Sequence, residues 1–114
     1  MSVIIQIALG GAIGAVARYL VGLAVVFPFG TMAVNVLGSF LMGCAFIALT
    51  ERAYAPFVMI GLLGGFTTFS AFSLDVFKLL EVGRSVAAGG YVLVSVLGSV
   101  LALIAGVAVA RALS

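Results

Sequence analysis

Histidine is absent from this chain, cysteine occurs once, and only three side chains are acidic. Without clustered histidines, cysteines or acids, no ordinary transition-metal site can be assembled from its side chains. Cys44, inside an apolar run, has no second cysteine for an intramolecular disulfide and reads as a small packing residue. Charge of either sign is scarce. Only 7% of the 114 residues are charged and 66% are hydrophobic, with a mean hydropathy of +1.49. Soluble domains carry about 25% charged residues and about 45–50% apolar ones. A chain this apolar has too little polar surface to face water, so lipid must be its solvent. A net charge of +2 is also too small to point to nucleic acid.

What is present is apolar sequence in lengths suited to a bilayer. At about 20 apolar residues per crossing, the chain holds four helices joined by short turns. Unpaired backbone cannot face lipid, which excludes open sheets and leaves a helical bundle. The expected fold is therefore an all-α integral membrane protein, one four-helix domain over residues 1–114. The spans are expected at about 3–27, 31–50, 57–77 and 86–110. They are separated by PFG (28–30), TERAYAP (50–56) and KLLEVGRS (78–85). The segment from Val3 to Phe27 lacks a charged start and is too long for a secretion signal, so it is read as mature structure.

All three acids, Glu51, Asp75 and Glu81, fall at expected span ends. Proton-driven transporters usually carry the proton on an embedded Asp, Glu or His, so the pattern argues for passive permeation or no transport. Arg18, in GGAIGAVARY (10–19), is the one charge well inside a span. It reads either as a structural side chain that snorkels or anchors on a helix end, or as a cation that draws an anion into a vestibule. The glycines at 10, 11, 14 and 22 around it suit close helix packing.

Two polar stripes stand out. Thr31, Asn35, Ser39 and Gly43 recur every fourth position in the second span, and Tyr91, Ser95 and Ser99 do so in the fourth. Either stripe alone reads as interhelical glue, with Tyr91 as an interface anchor. Facing each other, they would make a track of neutral donors, because an amide or hydroxyl donates to an anion without carrying charge. In the third span GGFTTFSAFS (64–73) places two glycines, three phenylalanines and four hydroxyls together. The helix is expected to break there, near its middle. Unwound backbone is tolerated at membrane depth only where protein or a polar cavity satisfies it, and freed carbonyls can hold a hard cation. The competing reading is a packing kink filled by aromatic rings.

GGAIGAVARY, GTMAVNVLGSF (30–40) and GGFTTFSAFS, in that order, resemble the Fluc/CrcB family of fluoride channels. The resemblance covers essentially the whole chain, and its second and third motifs are the specific ones. It implies a fluoride-selective passive channel in the bacterial inner membrane, exporting fluoride from the cytoplasm and not an enzyme. It further implies an antiparallel, dual-topology homodimer with two pores and a central sodium ion that is structural rather than transported. Carried over by motif position, Asn35, Phe69, Ser70, Phe72, Tyr91 and Ser99 are implied to line the fluoride pathway. Backbone carbonyls of Gly64 and Thr67 are implied to hold the sodium, and Arg18 remains a vestibule or structural residue. Leu103 stands where the polar track would be expected to continue with a hydroxyl. Small multidrug-resistance transporters share the size and span number, but rely on a first-span glutamate that this chain lacks. Two further readings stay open: a non-conducting subunit whose stripes are only glue, and a subunit that pairs with a homologous partner.

Independently of the resemblance, four spans set Arg52 and Arg111 on one side and Lys78 and Arg84 on the other. Topology ordinarily follows an excess of Lys and Arg in cytoplasmic loops, and here there is none. Reporters fused to the C-terminus are therefore expected to signal on both sides of the membrane. Two lysines added beside Arg52 should trap one orientation and lower activity; one-sided signal from the unmodified chain would exclude the antiparallel homodimer.

Overall fold

The computed structural model describes all 114 residues, and every regular element in it is helical. Helix α1 spans Val3–Ala24 and α2 spans Phe29–Leu49. The third crossing is composite. A π-helical stretch, Pro56–Leu62, runs into the short α3, Leu63–Phe66. The chain then extends at Thr67 and Thr68 and resumes as α4, Phe69–Glu81. Helix α5 spans Ser85–Leu113. With the third crossing taken as one, four segments of 22, 21, 26 and 29 residues are apolar and long enough to cross a membrane. At 1.5 Å per residue even the shortest reaches about 31 Å, the thickness of a hydrocarbon core. The chain is thus a multi-pass membrane protein.

Local chemistry sets the ends. Ser2 caps α1, its hydroxyl accepting from the Ile5 N–H at 3.2 Å. Pro56 opens the π-helical stretch, where its missing N–H costs nothing. The next N–H, from Phe57, donates to Oε1 of Gln6 in α1, whose Nε2 donates to the Met1 carbonyl. Both ends of this buried amide are therefore paired. The KLLEVGRS segment differs from the expected connection, because Lys78–Glu81 continue α4. The helix stops in a Schellman motif: Arg84 N–H donates to the Leu79 carbonyl, Gly83 N–H to that of Leu80, and Gly83 sits at φ +79°. Only Val82–Arg84 then link the last two crossings. Lys78, on the helix, places its ammonium 5.7 Å from the Phe27 ring centroid.

The bundle is two close pairs. Helix α1 lies along the π-helical stretch and α3, and α2 lies along α5. Glycine makes both approaches possible. A methyl on Gly14 would overlap the Leu62 carbonyl and sit 2.8 Å from the Phe66 nitrogen. One on Gly65 would lie 2.7 Å from the Gly11 carbonyl oxygen. In the other pair Gly43 packs on the backbone of Leu103 and Val107 and Gly106 on that of Phe40 and Cys44, and Cys44, a packing residue as expected, donates its thiol hydrogen to the Gly106 carbonyl. A side cluster of Phe72, Leu79, Ala88 and Tyr91 joins α4 to α5. The break expected in the third span is present, but Gly64 and Gly65 remain helical and the two threonines extend.

These contacts separate the glycines of α1. Gly14→Ala is expected to force the helices apart, costing about 1–3 kcal/mol as overpacking does. Gly22→Ala should be neutral, since nothing lies within 4 Å of the added carbon. Thermal unfolding in detergent followed by gel filtration checks both, and equal midpoints for the two variants would refute the packing assignment.

Candidate functional site

The extended residues between α3 and α4 need partners, and side chains from two other crossings supply them. In an uninterrupted helix, Thr68 and Phe69 N–H would donate to the Gly64 and Gly65 carbonyls. Instead Thr68 N–H donates to Asn35 Oδ1 at 2.8 Å, and Asn35 Nδ2 donates back to the Thr68 carbonyl at 2.9 Å. The Asn35 amide thus pairs with one backbone residue as a neighbouring strand would. On the other flank, Arg18 Nε donates to the Gly65 carbonyl at 3.1 Å. Thr67 turns inward, its hydroxyl donating to the Leu63 carbonyl at 2.9 Å. Thr68 caps α4, its hydroxyl accepting from Ala71 N–H at 3.1 Å. The carbonyls of Gly64 and Thr67 are left without a donor, because the N–H groups that would reach them are engaged elsewhere.

Beside the break, between α2 and α5, lies an open cleft of about 520 Å³. Asn35 and Ser39 line it from α2, Thr67, Thr68, Phe69 and Phe72 from the third crossing, and Ser95 and Ser99 from α5. Gly64 reaches it as well, and no charged side chain does. Met42, Val96, Val100 and Leu103 also line it, so where another hydroxyl was expected the wall carries Leu103 and is apolar. The two polar stripes do face one space, with the break between them. Ser95 Oγ is buried and has no hydrogen-bond partner in the chain. Helix α4 begins at this cleft, so its positive end is directed there.

The aromatic residues divide by exposure. Phe72 is buried, its ring centroid 5.5 Å from that of Tyr91 in a stacked pair and 5.3 Å from that of Phe69 in a tilted one. Phe69 is 75% exposed. Ser70 does not line the cleft. It is exposed, with its hydroxyl 3.3 Å from that of Thr68. Tyr91 also stands apart from the cleft, buried, its hydroxyl donating to Asp75 Oδ2 at 3.0 Å.

Asp75 corrects the sequence reading. It is not a span-end acid but a buried residue more than a turn inside α4, 8% exposed. Its position was readable: Phe72, Asp75 and Leu79 follow the i, i+3, i+7 spacing of a buried helix face. A carboxylate is therefore embedded, although it lies behind Phe72 and outside the cleft. Thr68, the residue that Asn35 holds, was also missed, because nothing in a pair of threonines tells which one a distant amide will meet.

Asn35→Asp should expose what the amide does. The carboxylate accepts from Thr68 N–H but has no donor for the Thr68 carbonyl, which is expected to cost about 1–3 kcal/mol. Faster amide hydrogen exchange at Thr68 and a lowered unfolding midpoint are the expected readings.

Comparison with known proteins adds the lineage. A family model described as "CrcB-like protein, Camphor Resistance (CrcB)" matches residues 5–107. The chain is similar to the fluoride-specific ion channel FluC of Cereibacter sphaeroides strain ATCC 17029, with 51% identity over 97% of this chain and 96% of that protein. The protein of the same name from Paracoccus denitrificans is 49% identical, over 96% of this chain and 94% of that one. That from Rhodospirillum centenum is 48% identical over 97% of each.

Proposed function

We propose, from the premise that this chain belongs to the CrcB-like family, that it is a passive fluoride channel and that the cleft beside the break is its permeation surface. The observation that carries the reading is a membrane-embedded cleft lined by neutral donors, with no charged side chain in it. Fluoride is small and strongly hydrated, so a dry path must replace water's hydrogen bonds closely. Asn35 uses one amide hydrogen on Thr68 and keeps a second. Ser95 keeps a hydroxyl that nothing in the chain occupies, and Ser99 stands one turn further along. The edges of Phe69 and Phe72 carry the positive side of the ring quadrupole and add a weak electropositive wall. Neutral donors hold an anion without trapping it, which conduction requires. Family and fold make the chain a channel rather than an enzyme.

The pathway needs a second copy. The cleft is open, Phe69 is 75% exposed and Ser70 faces outward, so one chain leaves an incomplete wall. An antiparallel second copy agrees with the even tally of cations and would complete two pores. In that assembly Ser70 meets the partner, and Tyr91 supports the Phe72 ring from behind. The Gly64 and Thr67 carbonyls, both without donors, fit a hard monovalent cation such as sodium, for which oxygen is the suitable ligand. Such an ion would neutralise the freed carbonyls of two breaks where the copies meet. Embedded Asp75 does not argue for proton coupling, since it is paired with Tyr91 and outside the cleft.

Electrode-detected fluoride efflux from liposomes holding only this purified chain tests the reading. Phe69→Ile and Phe72→Ile are roughly volume-conserving swaps that should cost less than about 1.5 kcal/mol of stability. If ring edges solvate the anion, assembled variants are expected to lose most or all flux. Undiminished flux from well-assembled proteins would remove the rings from the pathway, and no efflux from the unmodified chain would overturn the channel.

A further inference from the structure

We propose that Arg18 is a positioning residue for the permeation surface, acting through one hydrogen bond from its Nε to the Gly65 carbonyl and not through its charge. The proposal rests on the channel reading above. The sequence left Arg18 between an anion-attracting cation and a structural anchor; the structure gives its side chain a specific partner 47 residues away. That partner is a carbonyl the broken helix has orphaned. With the chain extended at Thr67 and Thr68, Phe69 N–H no longer reaches Gly65. An orphan carbonyl inside a span is costly, and Arg18 satisfies it.

The placement follows from the packing of α1. Gly14 lets α1 close onto Leu62 and Phe66, and Gly65 itself rests on Gly11. Arg18 is one turn beyond Gly14 and bridges from the same face. The break is therefore clamped on both flanks, by Arg18 at Gly65 and by Asn35 at Thr68. Between the clamps lie Phe66 and Thr67, and directly after them comes Phe69, so the clamps fix where the Thr67 carbonyl and the Phe69 ring point. Arg18 makes this bond through Nε alone, and the chain provides its terminal nitrogens with no hydrogen-bond partner.

Side-chain chemistry separates bond from charge. In glutamine the amide nitrogen is attached to Cδ, as Nε is in arginine, so Arg18→Gln offers Gly65 an N–H from the same position without charge. In lysine a methylene occupies that position and the ammonium lies one atom beyond, so Arg18→Lys keeps the charge but has no donor at the position of Nε. Arg18→Met loses both. Fluoride efflux is measured for each in liposomes, with gel filtration for assembly and amide hydrogen exchange of residues 64–70.

Arg18→Gln is expected to conduct within about threefold of the unmodified chain, and Arg18→Lys and Arg18→Met to fall about tenfold or more, as leaving a buried carbonyl unsatisfied implies. Exchange at the break should quicken in the Lys and Met variants and stay unchanged with Gln. Normal flux in the lysine variant with loss in the glutamine variant would assign the role to charge and overturn the proposal. Three equally active or three equally inactive variants would also overturn it. The exchange readout does not depend on conduction, so unchanged exchange in all three variants sinks the clamp even where the channel itself does not conduct. Absent flux in the unmodified chain sinks the channel instead.

Discussion

A polypeptide can unwind inside a bilayer only if every backbone group it frees is taken up by something other than lipid. At Thr67 and Thr68 this chain unwinds, and much of the rest is arranged around those two residues. The Asn35 amide takes both backbone groups of Thr68, Arg18 takes the carbonyl of Gly65, and the Thr67 and Thr68 hydroxyls take up neighbouring groups. What stays unpaired is as informative as what is paired. The Gly64 and Thr67 carbonyls and the Ser95 hydroxyl remain free, two acceptors and a donor, at a cleft without charged side chains. At membrane depth each such group costs free energy unless something outside the chain pairs with it.

The glycines serve the same arrangement. Lipid tails are as apolar as leucine, so helices in a membrane associate by close contact rather than by escaping solvent. Gly10 and Gly14 against Gly61 and Gly65 bring α1 near enough for Arg18 to span the gap. Gly43 on the Leu103 and Val107 backbone, and Gly106 on that of Phe40 and Cys44, do the same for α2 and α5, whose Asn35, Ser39, Ser95 and Ser99 line one cleft. Close packing of backbones and placement of polar side chains are one design here. Only 18 of the 114 residues are buried within the chain, so lipid or a second copy must cover most of its surface.

Features that depend on local pattern are legible in the residues. Four spans follow from apolar length, the break from the glycine and hydroxyl-rich GGFTTFSAFS, and the two stripes from fourfold spacing. Legibility fails where a residue's state depends on what lies across from it. Asp75 resembles a span-end acid if the third span closes at about 77, whereas α4 runs on to Glu81 and turns the carboxylate toward Tyr91. Ser70 looks equivalent to its neighbours in the motif, yet the helical turn after Thr68 carries it to the outer face. The glycines of the motif suggest the point of unwinding, but they pack as helix and the threonines extend.

The sequence by itself determined the solvent, the class and the lineage: its composition demands lipid, its apolar lengths make four helices, and its motifs mark the family. Those properties are sums and spacings along the chain, and no neighbour can change them. Tertiary structure alone decided which backbone groups at the break are held and which are free. A hydrogen bond from Arg18 to Gly65, or from Asn35 to Thr68, needs two helices at a fixed separation; glycines packing backbone against backbone set the first, and Gly38 under the Thr67 side chain sets the second. Nothing in the spacing of either residue along its own helix contains that distance.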